Sequence, residues 1–527
     1  MRRSCRAGVL PLLLIALAPA WACERGTVFD DRDRDGRRGA HEPGVAQVRV
    51  SDGVEIVSSD TEGRWELSGR AGRPVFLVKP AGFAVPASGN GLPAFWRAPG
   101  DTDCDFALQQ RGPPEQIEVI VSSDPQAGTL REVDYYAALA RRGFGAHRDA
   151  ALGLTLGDVA NDELSLYPAL VAATVQAGVP WLHAPGNHDL DPDASDDPGS
   201  LSGYGKVFGP DTYAWEEHQA VFVVLDNVVA LPGQRPAYTA GLREDQFAFL
   251  ERYLAALNRD RLLVVAAHMP WFDTAVPGAP PTLRLQDRAR LFALLRGFPK
   301  VLLLSGHRHA QRMVFHEVAS GWHGDKPLRE YNVGAMSGAY WSGVPAADGI
   351  PHATMSDGTP RGFATLRVDA EGDYRLAWHP TSLPGDDPAL TPAMALHAPR
   401  VLRQGAYPAW GVYANVFLGH ARTRVEYRVD GGEWMPMRHW PAPDPRLLLE
   451  NARDDLADGL RSFDRSAEAE PSTHLWRGAL PTRLGVGEHR VEVRAFDDHG
   501  GEHRASLVYR LDEAVQEAVA APVGPLR

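Results

Sequence analysis

The middle of the chain contains six apolar runs, five of which end directly in polar residues, and this arrangement constrains the fold more than any other feature. Continuous apolar runs of this kind are typical of buried parallel strands. Stretches with helical spacing lie between them, at 164–176, 244–257 and 286–295. The pattern predicts an α/β domain. The runs cover 117–121, 152–156, 179–183, 221–225, 262–267 and 301–304.

The five polar segments supply residues of the types that bind metal ions. Because ligands of open α/β sheets gather at the carboxyl ends of the strands, these side chains can converge on one site. Asp158 can bridge two cations held about 3.5 to 4 Å apart, since a carboxylate has two oxygens. Neutral imidazoles suit Mn, Fe or Zn better than Ca or Mg. The sequence therefore predicts a dinuclear metal centre with the candidate ligands Asp124, Gln126, Asp158, Asn187, His268, His307 and His309.

The segments on either side of this domain alternate apolar and polar residues and carry frequent Gly and Asp at turn positions. This alternation is typical of antiparallel strands, and each flank predicts a small all-β sandwich. With a leader at 1–22, the predicted domains are an N-terminal sandwich at 23–112, the α/β domain at 113–381 and a C-terminal sandwich at 382–527.

An acidic loop in the first sandwich has the spacing of a calcium site. Asp31, Asp33 and Asp35 alternate, Gly36 follows, and Glu42 stands at the twelfth position. The flanks predict strands instead of helices, so the loop resembles the calcium loops of bacterial surface β-sandwich repeats and not an EF-hand. The alternative is a solvated acidic turn.

The first 22 residues have a basic start, a short apolar run and an Ala-x-Ala cleavage site, which together predict a signal peptide. We expect a periplasmic or secreted protein without a transmembrane segment. Two cysteines then remain, and an oxidising compartment favours a disulfide between Cys23 and Cys104. The alternative is a lipoprotein with a lipidated Cys23 and a free Cys104.

The net charge limits the partners that the chain can bind. With 54 Lys and Arg against 67 Asp and Glu, the formal charge is −13, so there is no basic excess for binding nucleic acid. Bound metal ions would have to receive a small phosphorylated partner, such as an envelope lipid, a sugar or a nucleotide phosphate.

The ordered motifs D-x-Q, GDxxxD, GNHD, a single His and GHxH resemble those of the calcineurin-like metallophosphoesterase superfamily over roughly residues 115–380. The outer segments resemble the N-terminal and C-terminal modules of one bacterial branch of that superfamily. The resemblance implies a metal-dependent phosphoric ester hydrolase with a central four-layer α/β/β/α sandwich between two all-β domains.

Carried over residue by residue, the resemblance divides the ligands between two divalent ions. One ion would take Asp124, Gln126, Asp158 and His309, and the other would take Asp158, Asn187, His268 and His307. His188 would be the imidazole that protonates the leaving oxygen or stabilises the phosphoryl transition state. A metal-bridging hydroxide would attack in line.

One position departs from the superfamily pattern, because the first motif is usually D-x-H and this chain has Gln126 there. A neutral amide oxygen is a harder ligand, so we expect manganese, with Fe, Zn or Mg as alternatives. The Gln variant also occurs in members that act as phosphatases or as manganese-dependent nucleotide diphosphatases. Pro125 is expected to hold Asp124 in an extended conformation.

Several residues near these motifs are candidates for contact with the substrate: Asn161, Asp162, Arg308, Tyr340 and Trp341. The last two stand in a long segment, 331–362, that has little periodicity and also contains Asp348 and Asp357. Long loops in compact domains are often functional. The alternatives are that these residues cap turns or connect two domains.

The sequence therefore predicts an exported dinuclear phosphoesterase that acts on phosphomonoesters or phosphodiesters. A nucleotide-type diphosphatase is an alternative, because these reactions share the same ligands. A calcium-stabilised, non-catalytic cell-envelope binding protein is a further hypothesis, motivated by Gln126 and the two flanking sandwiches.

Overall fold

The structure, a computed structural model, describes residues 23–513 except 71, 277, 384, 386 and 460. The predicted leader at 1–22 lies outside these residues. Two β-sandwiches flank an α/β part, as the sequence predicts. Within the described residues, no helix is both long and apolar enough to cross a membrane.

In the N-terminal sandwich, the described residues form eight short strands in two four-stranded sheets. The strands are β1 (Arg25–Asp30), β2 (Arg49–Ser51), β3 (Ile56–Ser58), β4 (Arg64–Glu66), β5 (Val75–Leu77), β6 (Phe83–Ala84), β7 (Trp96–Arg97) and β8 (Phe106–Gln110). One sheet has the order β4-β1-β8-β6 and the other β3-β2-β5-β7. The prediction of an antiparallel sandwich is wrong for one pair, because β1 and β8 run parallel.

A disulfide joins Cys23, just before β1, to Cys104, just before β8. The predicted pairing is confirmed, and the alternative of a free Cys104 is wrong. The bond ties together the starts of the two parallel strands, which are neighbours in the sheet.

The described residues of the α/β part form two mixed sheets, a separate two-stranded sheet and five α-helices. Its strands are β9 (Ile117–Ser122), β10 (Leu152–Leu156), β11 (Trp181–Ala184), β12 (Tyr213–Glu216), β13 (Ala220–Leu225), β14 (Val228–Ala230), β15 (Tyr238–Ala240), β16 (Leu262–Ala267), β17 (Val301–Ser305), β18 (Arg312–His316), β19 (Leu328–Asn332), β20 (Gly362–Val368) and β21 (Tyr374–Pro380). Its helices are α1 (Leu130–Gly143), α2 (Tyr167–Thr174), α3 (Ser202–Phe208), α4 (Glu244–Ala255) and α5 (Leu285–Leu295).

The two sheets have the orders β11-β10-β9-β20-β21 and β12-β13-β16-β17-β19-β18. All six predicted apolar runs are strands in them. Strands β9, β10 and β11 are parallel, as are β13, β16, β17 and β19, and the remaining strands β12, β18, β20 and β21 pair antiparallel. The parallel strands other than β19 are rich in apolar residues because both faces of each sheet are covered.

The layers follow the predicted α/β/β/α order. Val121 on β9 and Val264 on β16 belong to one shared core between the sheets. Helices α1 and α2 pack on the first sheet in a separate cluster with Ile120 and Trp181. Helices α4 and α5 cover the second sheet, where the Tyr253 hydroxyl on α4 donates to Glu216 on β12.

The strands of the C-terminal sandwich are β22 (Met394–His397), β23 (Val401–Arg403), β24 (Gly411–Val416), β25 (Val425–Val429), β26 (Met435–Pro436), β27 (Arg438–His439), β28 (Ala442–Pro443), β29 (Pro471–Ser472), β30 (Leu475–Ala479), β31 (Gly487–Phe496) and β32 (Glu502–Asp512). The sandwich has sheets with the orders β22-β24-β30-β27 and β23-β32-β31-β25-β26, and a separate pair, β28-β29. It also contains a helix that the sequence analysis did not predict, α6 (Pro445–Asp455).

The disulfide allows a test of what stabilises the N-terminal sandwich. Replacing both Cys23 and Cys104 with Ser should destabilise this sandwich by about 4 kcal/mol, because the bond closes a loop spanning 81 positions of the unfolded chain. Limited proteolysis followed by mass analysis should show faster cleavage within 23–112 and little change in the α/β part. Reduced wild-type protein should match the variant. Equal cleavage of the oxidised wild type and the variant would contradict this role.

Candidate metal centre

The seven candidate ligands lie in the loops that follow β9, β10, β11, β16 and β17, at the carboxyl ends of these strands. Contacts between neighbouring loops bring them together. The Gln126 backbone N–H donates to the Asp158 carbonyl at 2.9 Å, and the His307 N–H lies 3.1 and 3.2 Å from the two Asp124 carboxylate oxygens. The convergence expected from the strand ends is present in the structure.

Asp158, His268 and His307 form the tightest group, with one ligand atom of each within 4.8 Å of the others. Nε2 of the fully buried His268 lies 3.3 Å from Asp158 Oδ2, 3.2 Å from His307 Nδ1 and 3.0 Å from Asn187 Oδ1. His268 Nδ1 donates to the Leu156 carbonyl at 2.8 Å. In the neutral ring Nε2 therefore presents a lone pair to other electron-rich atoms, an arrangement that a cation would stabilise.

The pKa values in this group also indicate that a positive charge stabilises it. Burial lowers the pKa of His268, but the neighbouring Asp158 carboxylate outweighs it and raises the value to about 9. Burial acts to raise the pKa of Asp158, yet His268 holds it well below its usual range. Burial lowers the pKa of His307 to about 4. A proton on His268 thus balances the buried carboxylate, and a bound metal ion would take its place.

Asp124, Gln126 and His309 form a second group beside the first. His309 Nε2 lies 3.5 Å from Asp124 Oδ1, and its Nδ1 donates to the Gly338 carbonyl. Gln126 is buried, and its Oε1 has no hydrogen-bond partner among the described residues. Because a buried acceptor without a donor is costly, this oxygen is suited to a cation. The residues of both groups fit divalent metal ions.

Left-handed backbone conformations are concentrated at the candidate ligands. Their φ angles are +48° at Asp124, +41° at Gln126, +49° at Asp158, +73° at His307 and +46° at His309. Each costs about 1 to 3 kcal/mol in a residue other than glycine, and such strain clusters at functional sites. The prediction that Asp124 is extended is therefore wrong. Its backbone turns, and the Ser337 N–H and hydroxyl hold its carbonyl at 3.2 and 2.8 Å.

Asp189 supports the ligands from behind, a role that the sequence analysis missed although the residue belongs to GNHD. Its buried carboxylate accepts from the Val159 and Gly186 N–H groups at 3.1 and 2.9 Å and from the Tyr167 hydroxyl at 2.9 Å. Burial, together with the nearby Asp158 charge, raises the pKa of Asp189 to about 6. Asp189 thereby ties the loop after β10 to the loop after β11.

Asn227 is a second supporting residue that was missed. Its side chain donates to the Met269 carbonyl at 2.6 Å and accepts from the Met269 N–H at 2.9 Å, which fixes the residue after His268. The fourth apolar run, 221–225, is directly followed by Asp226 and Asn227, so polar residues follow all six runs and not five. The rule that found the other strand ends would therefore have found this position.

His188 lies at the solvent side of the centre with its side chain 30% exposed. Its N–H donates to Asp158 Oδ1 at 2.9 Å, and its Nδ1 lies 3.0 Å from Asp162 Oδ1. The carboxylate of Asp162 can hold the ring in one orientation and favour a proton on Nδ1. Asp162, expected to contact substrate, is thus paired with the proposed acid, while its exposed neighbour Asn161 accepts from Gln126 Nε2 at 3.5 Å.

Two tyrosines lie against the candidate ligands at the opening of the site. Tyr340 is 61% exposed and stacks on His309 with ring centroids 4.2 Å apart. Tyr238, which the sequence analysis missed, lies edge-on to His307 at 6.0 Å. Trp341 does not face the substrate side of the site, contrary to the expectation from the sequence. It is buried, and its indole N–H donates to the Pro125 carbonyl at 3.1 Å, so it supports the first loop from behind.

Only three of the four candidate calcium ligands lie close together in the structure. Carboxylate oxygens of Asp31, Asp33 and Asp35 lie within 4.8 Å of one another. The Glu42 carboxylate instead accepts from the N–H groups of Arg32 and Gly39 at 2.7 and 2.8 Å. Asp31 is buried, and its Oδ1 has no hydrogen-bond partner among the described residues.

Models of three protein families match consecutive parts of the chain. The N terminal of calcineurin-like phosphoesterase matches 32–111, calcineurin-like phosphoesterase matches 118–311, and the C terminal of calcineurin-like phosphoesterase matches 330–503. None of the curated proteins compared matches the chain.

Several solved structures have distant similarity to the chain. The purple acid phosphatase PPD1 from yellow lupin (Lupinus luteus) seeds is 12% identical, with a TM-score of 0.38, over 64% of this chain and 67% of its own. GAP50, the anchor in the inner membrane complex of Plasmodium, is 13% identical, with a TM-score of 0.33, over 51% and 86%. The phosphopantetheinyl hydrolase PptH from Mycobacterium tuberculosis is 15% identical, with a TM-score of 0.28, over 42% and 90%. At these identities and TM-scores, the similarity does not bear on the residues of the site.

Gly157 allows a test of the site geometry with a matched control. Its φ is +93°, and an added Cβ would lie 2.6 Å from His268 Nδ1. Gly157→Ala should therefore displace His268, lower metal content and reduce turnover about 100-fold. Gly178 has a φ of +77° and nothing within 4 Å of an added Cβ. Gly178→Ala should lose about 1 to 2 kcal/mol of stability from the same backbone strain but keep its metal. Equal metal content in the two variants, measured by elemental analysis, would contradict this geometry.

Proposed function

Because the chain belongs to the calcineurin-like phosphoesterases and is thus a metal-dependent phosphoric ester hydrolase, we propose that it cleaves small phosphate esters at a centre of two divalent ions. The observation that carries this proposal is the convergence of Asp158, His268, His307 and Asn187 around one point. The buried Gln126 Oε1, which has no hydrogen-bond partner in the part of the chain that the structure describes, supports a second ion beside it.

The ligands divide into two sets that share Asp158. One ion would be held by Asp124, Gln126, Asp158 and His309, and the other by Asp158, Asn187, His268 and His307. The bridging role of Asp158 is supported by its side-chain contact with His268 and its backbone contact with Gln126. When bound, the ions supply Lewis acidity and a hydroxide nucleophile. The amide oxygen of Gln126 favours manganese over Fe, Zn or Mg.

His188 is the proton donor in this proposal. Its backbone N–H donates to Asp158 and its ring is oriented by Asp162, so one ring nitrogen is held while the other can serve the leaving oxygen. The substrate enters past Tyr238 and Tyr340, the aromatic residues at the opening. Phosphomonoesters, phosphodiesters and nucleotide-type diphosphates all suit this arrangement. The non-catalytic hypothesis is set aside, because the chain is a hydrolase.

The proposed location is the periplasm or the exterior of the cell. The disulfide between Cys23 and Cys104 supports it, since such bonds persist in oxidising compartments. Substrates would then be phosphate esters of the envelope or the medium.

We also propose that the acidic loop of the N-terminal sandwich binds Ca²⁺. The grouped Asp31, Asp33 and Asp35 support this, as does the buried Asp31 Oδ1, for which the described residues provide no hydrogen-bond donor. Glu42 would join only by leaving the backbone N–H groups that it now accepts from.

Calcium should protect the N-terminal sandwich from unfolding. At about ten times its dissociation constant, Ca²⁺ should add about 1.4 kcal/mol and slow proteolysis within 23–112. Asp31→Asn should remove this protection. Asp60→Asn is the control, because exposed Asp60 only accepts from two backbone N–H groups of its own turn and an Arg side chain. Equal protection of Asp31→Asn and wild type would exclude the site.

Removal of metal and replacement of His188 test the reaction. Phosphate release should be lost in a chelator and restored by Mn²⁺. His188→Asn should lower turnover by about 10² to 10⁴-fold, because the proton donor is lost, while metal content stays at the wild-type value. His218→Asn, at an exposed position outside the site, is the control. Full activity of His188→Asn would contradict its role, and turnover by protein shown to be metal-free would contradict the proposed function.

A further inference from the structure

The C-terminal sandwich reaches the rim of the metal centre through residues 464–474. The Glu470 N–H donates to the Ser356 carbonyl at 2.8 Å, and the Gly343 N–H donates to the Asp464 carbonyl at 2.9 Å. The long segment 331–362 is therefore held between the candidate ligands on one side and the C-terminal part on the other.

Asp357 joins this segment to the loop that carries His307 and His309. The residue is buried, and its carboxylate accepts from the Gln311 N–H at 2.7 Å and lies 3.0 Å from Nε2 of the buried His474. Gln311 stands two residues after His309. Asp357, which belongs to the long segment 331–362, thus fixes the position of the C-terminal chain next to the ligand loop.

Glu470 lies opposite Arg308 as a result. Glu470 Oε2 is 3.7 Å from Arg308 Nη2, and the side chains are 59% and 40% exposed. A long, exposed ion pair of this kind contributes little to stability. Arg308 itself stands between His307 and His309, and among the described residues its guanidinium has no ion-pair partner closer than Glu470, so it is only weakly engaged.

Tyr340 belongs to the same cluster. Its ring stacks on His309, the residue that follows Arg308, with ring centroids 4.2 Å apart. The Tyr340 ring and the Arg308–Glu470 pair thus adjoin neighbouring residues of the loop that carries His307 and His309.

We propose that Arg308 binds a second anionic group of the substrate, such as a further phosphoryl or carboxylate group, and that Glu470 competes with this group for the guanidinium. The inference rests on the proposed function and narrows its substrate class. A guanidinium offers a planar fork of donors that matches phosphate and carboxylate oxygens. Glu470 positions Arg308 when no anion is bound, and its negative charge opposes an incoming anion.

Adenosine diphosphate and adenosine monophosphate, which differ by one phosphoryl group, provide the test. The ratio of their kcat/KM values is measured at fixed free Mn²⁺, or the ratio of their inhibition constants against p-nitrophenyl phosphate if they are not cleaved. Arg308→Gln should lower the preference for the diphosphate at least about ten-fold, since a hydrogen bond between charged groups is lost. Arg308→Lys should restore part of it, and Glu470→Gln should raise it about three-fold, because the competing charge is removed.

The chain offers a matched control pair. Arg422 on the C-terminal part and Glu317 on the α/β part also form an exposed ion pair, at 3.1 Å, with side chains 64% and 54% exposed. Arg422→Gln and Glu317→Gln should leave the ratio unchanged.

The outcomes separate the inference from the proposed function. If wild-type protein with Mn²⁺ cleaves no phosphate ester, the proposed function fails. If it cleaves esters but Arg308→Gln affects both nucleotides equally, or Glu470→Gln leaves the ratio unchanged, the inference alone is overturned. Metal content is measured in every variant. If Arg308→Gln loses metal, the inference is tested with Arg308→Lys and Glu470→Gln instead. A diphosphate-to-monophosphate ratio that is unchanged in both variants then overturns the inference.

Discussion

At the carboxyl edge of the two sheets, oxygen and nitrogen atoms of the candidate ligands lie so close together that they need a positive charge between them. His268 Nε2 meets the oxygens of Asp158 and Asn187 and a nitrogen of His307, all within 3.3 Å. Without positive charge this cluster repels itself in a medium of low dielectric constant. The surrounding structure holds these side chains together against this repulsion. Sheets covered on both faces fix the strand ends, and Asp189 ties two of the ligand loops together.

The sequence predicted those parts of the fold that depend on local pattern. All six apolar runs lie in strands, because strands covered on both faces are rich in apolar residues. Helix α1 was missed, although Thr129 and Glu132 form a capping box at its start. Helix α6 was missed too, despite the N-cap Asp444 followed by Pro445. Both starts carry residues that an explicit search for caps would have found.

Other features depend on contacts between distant parts of the chain and could not be read from local pattern. The ends of the predicted strands indicated where the ligands lie. They did not indicate the left-handed backbone of Asp124, because the hydrogen bond that stabilises this conformation comes from Ser337 in the distant long loop. Tyr238 stands on a three-residue strand, which is too short to show periodicity. Glu470 meets Arg308 only because the C-terminal sandwich folds back against the α/β part. Spacing in the sequence carries no information about such pairs.

The buried contact between Asp357 and His474 also bears on how a protein of this layout can evolve. A carboxylate inside an interface needs donors, and here one comes from the ligand loop and another from the C-terminal sandwich. Exchange of the C-terminal module by recombination would leave that carboxylate short of a partner unless the incoming module brought one at the same place. The two parts are therefore expected to be inherited as a unit, and sequence drift on one side of the interface is constrained by the other.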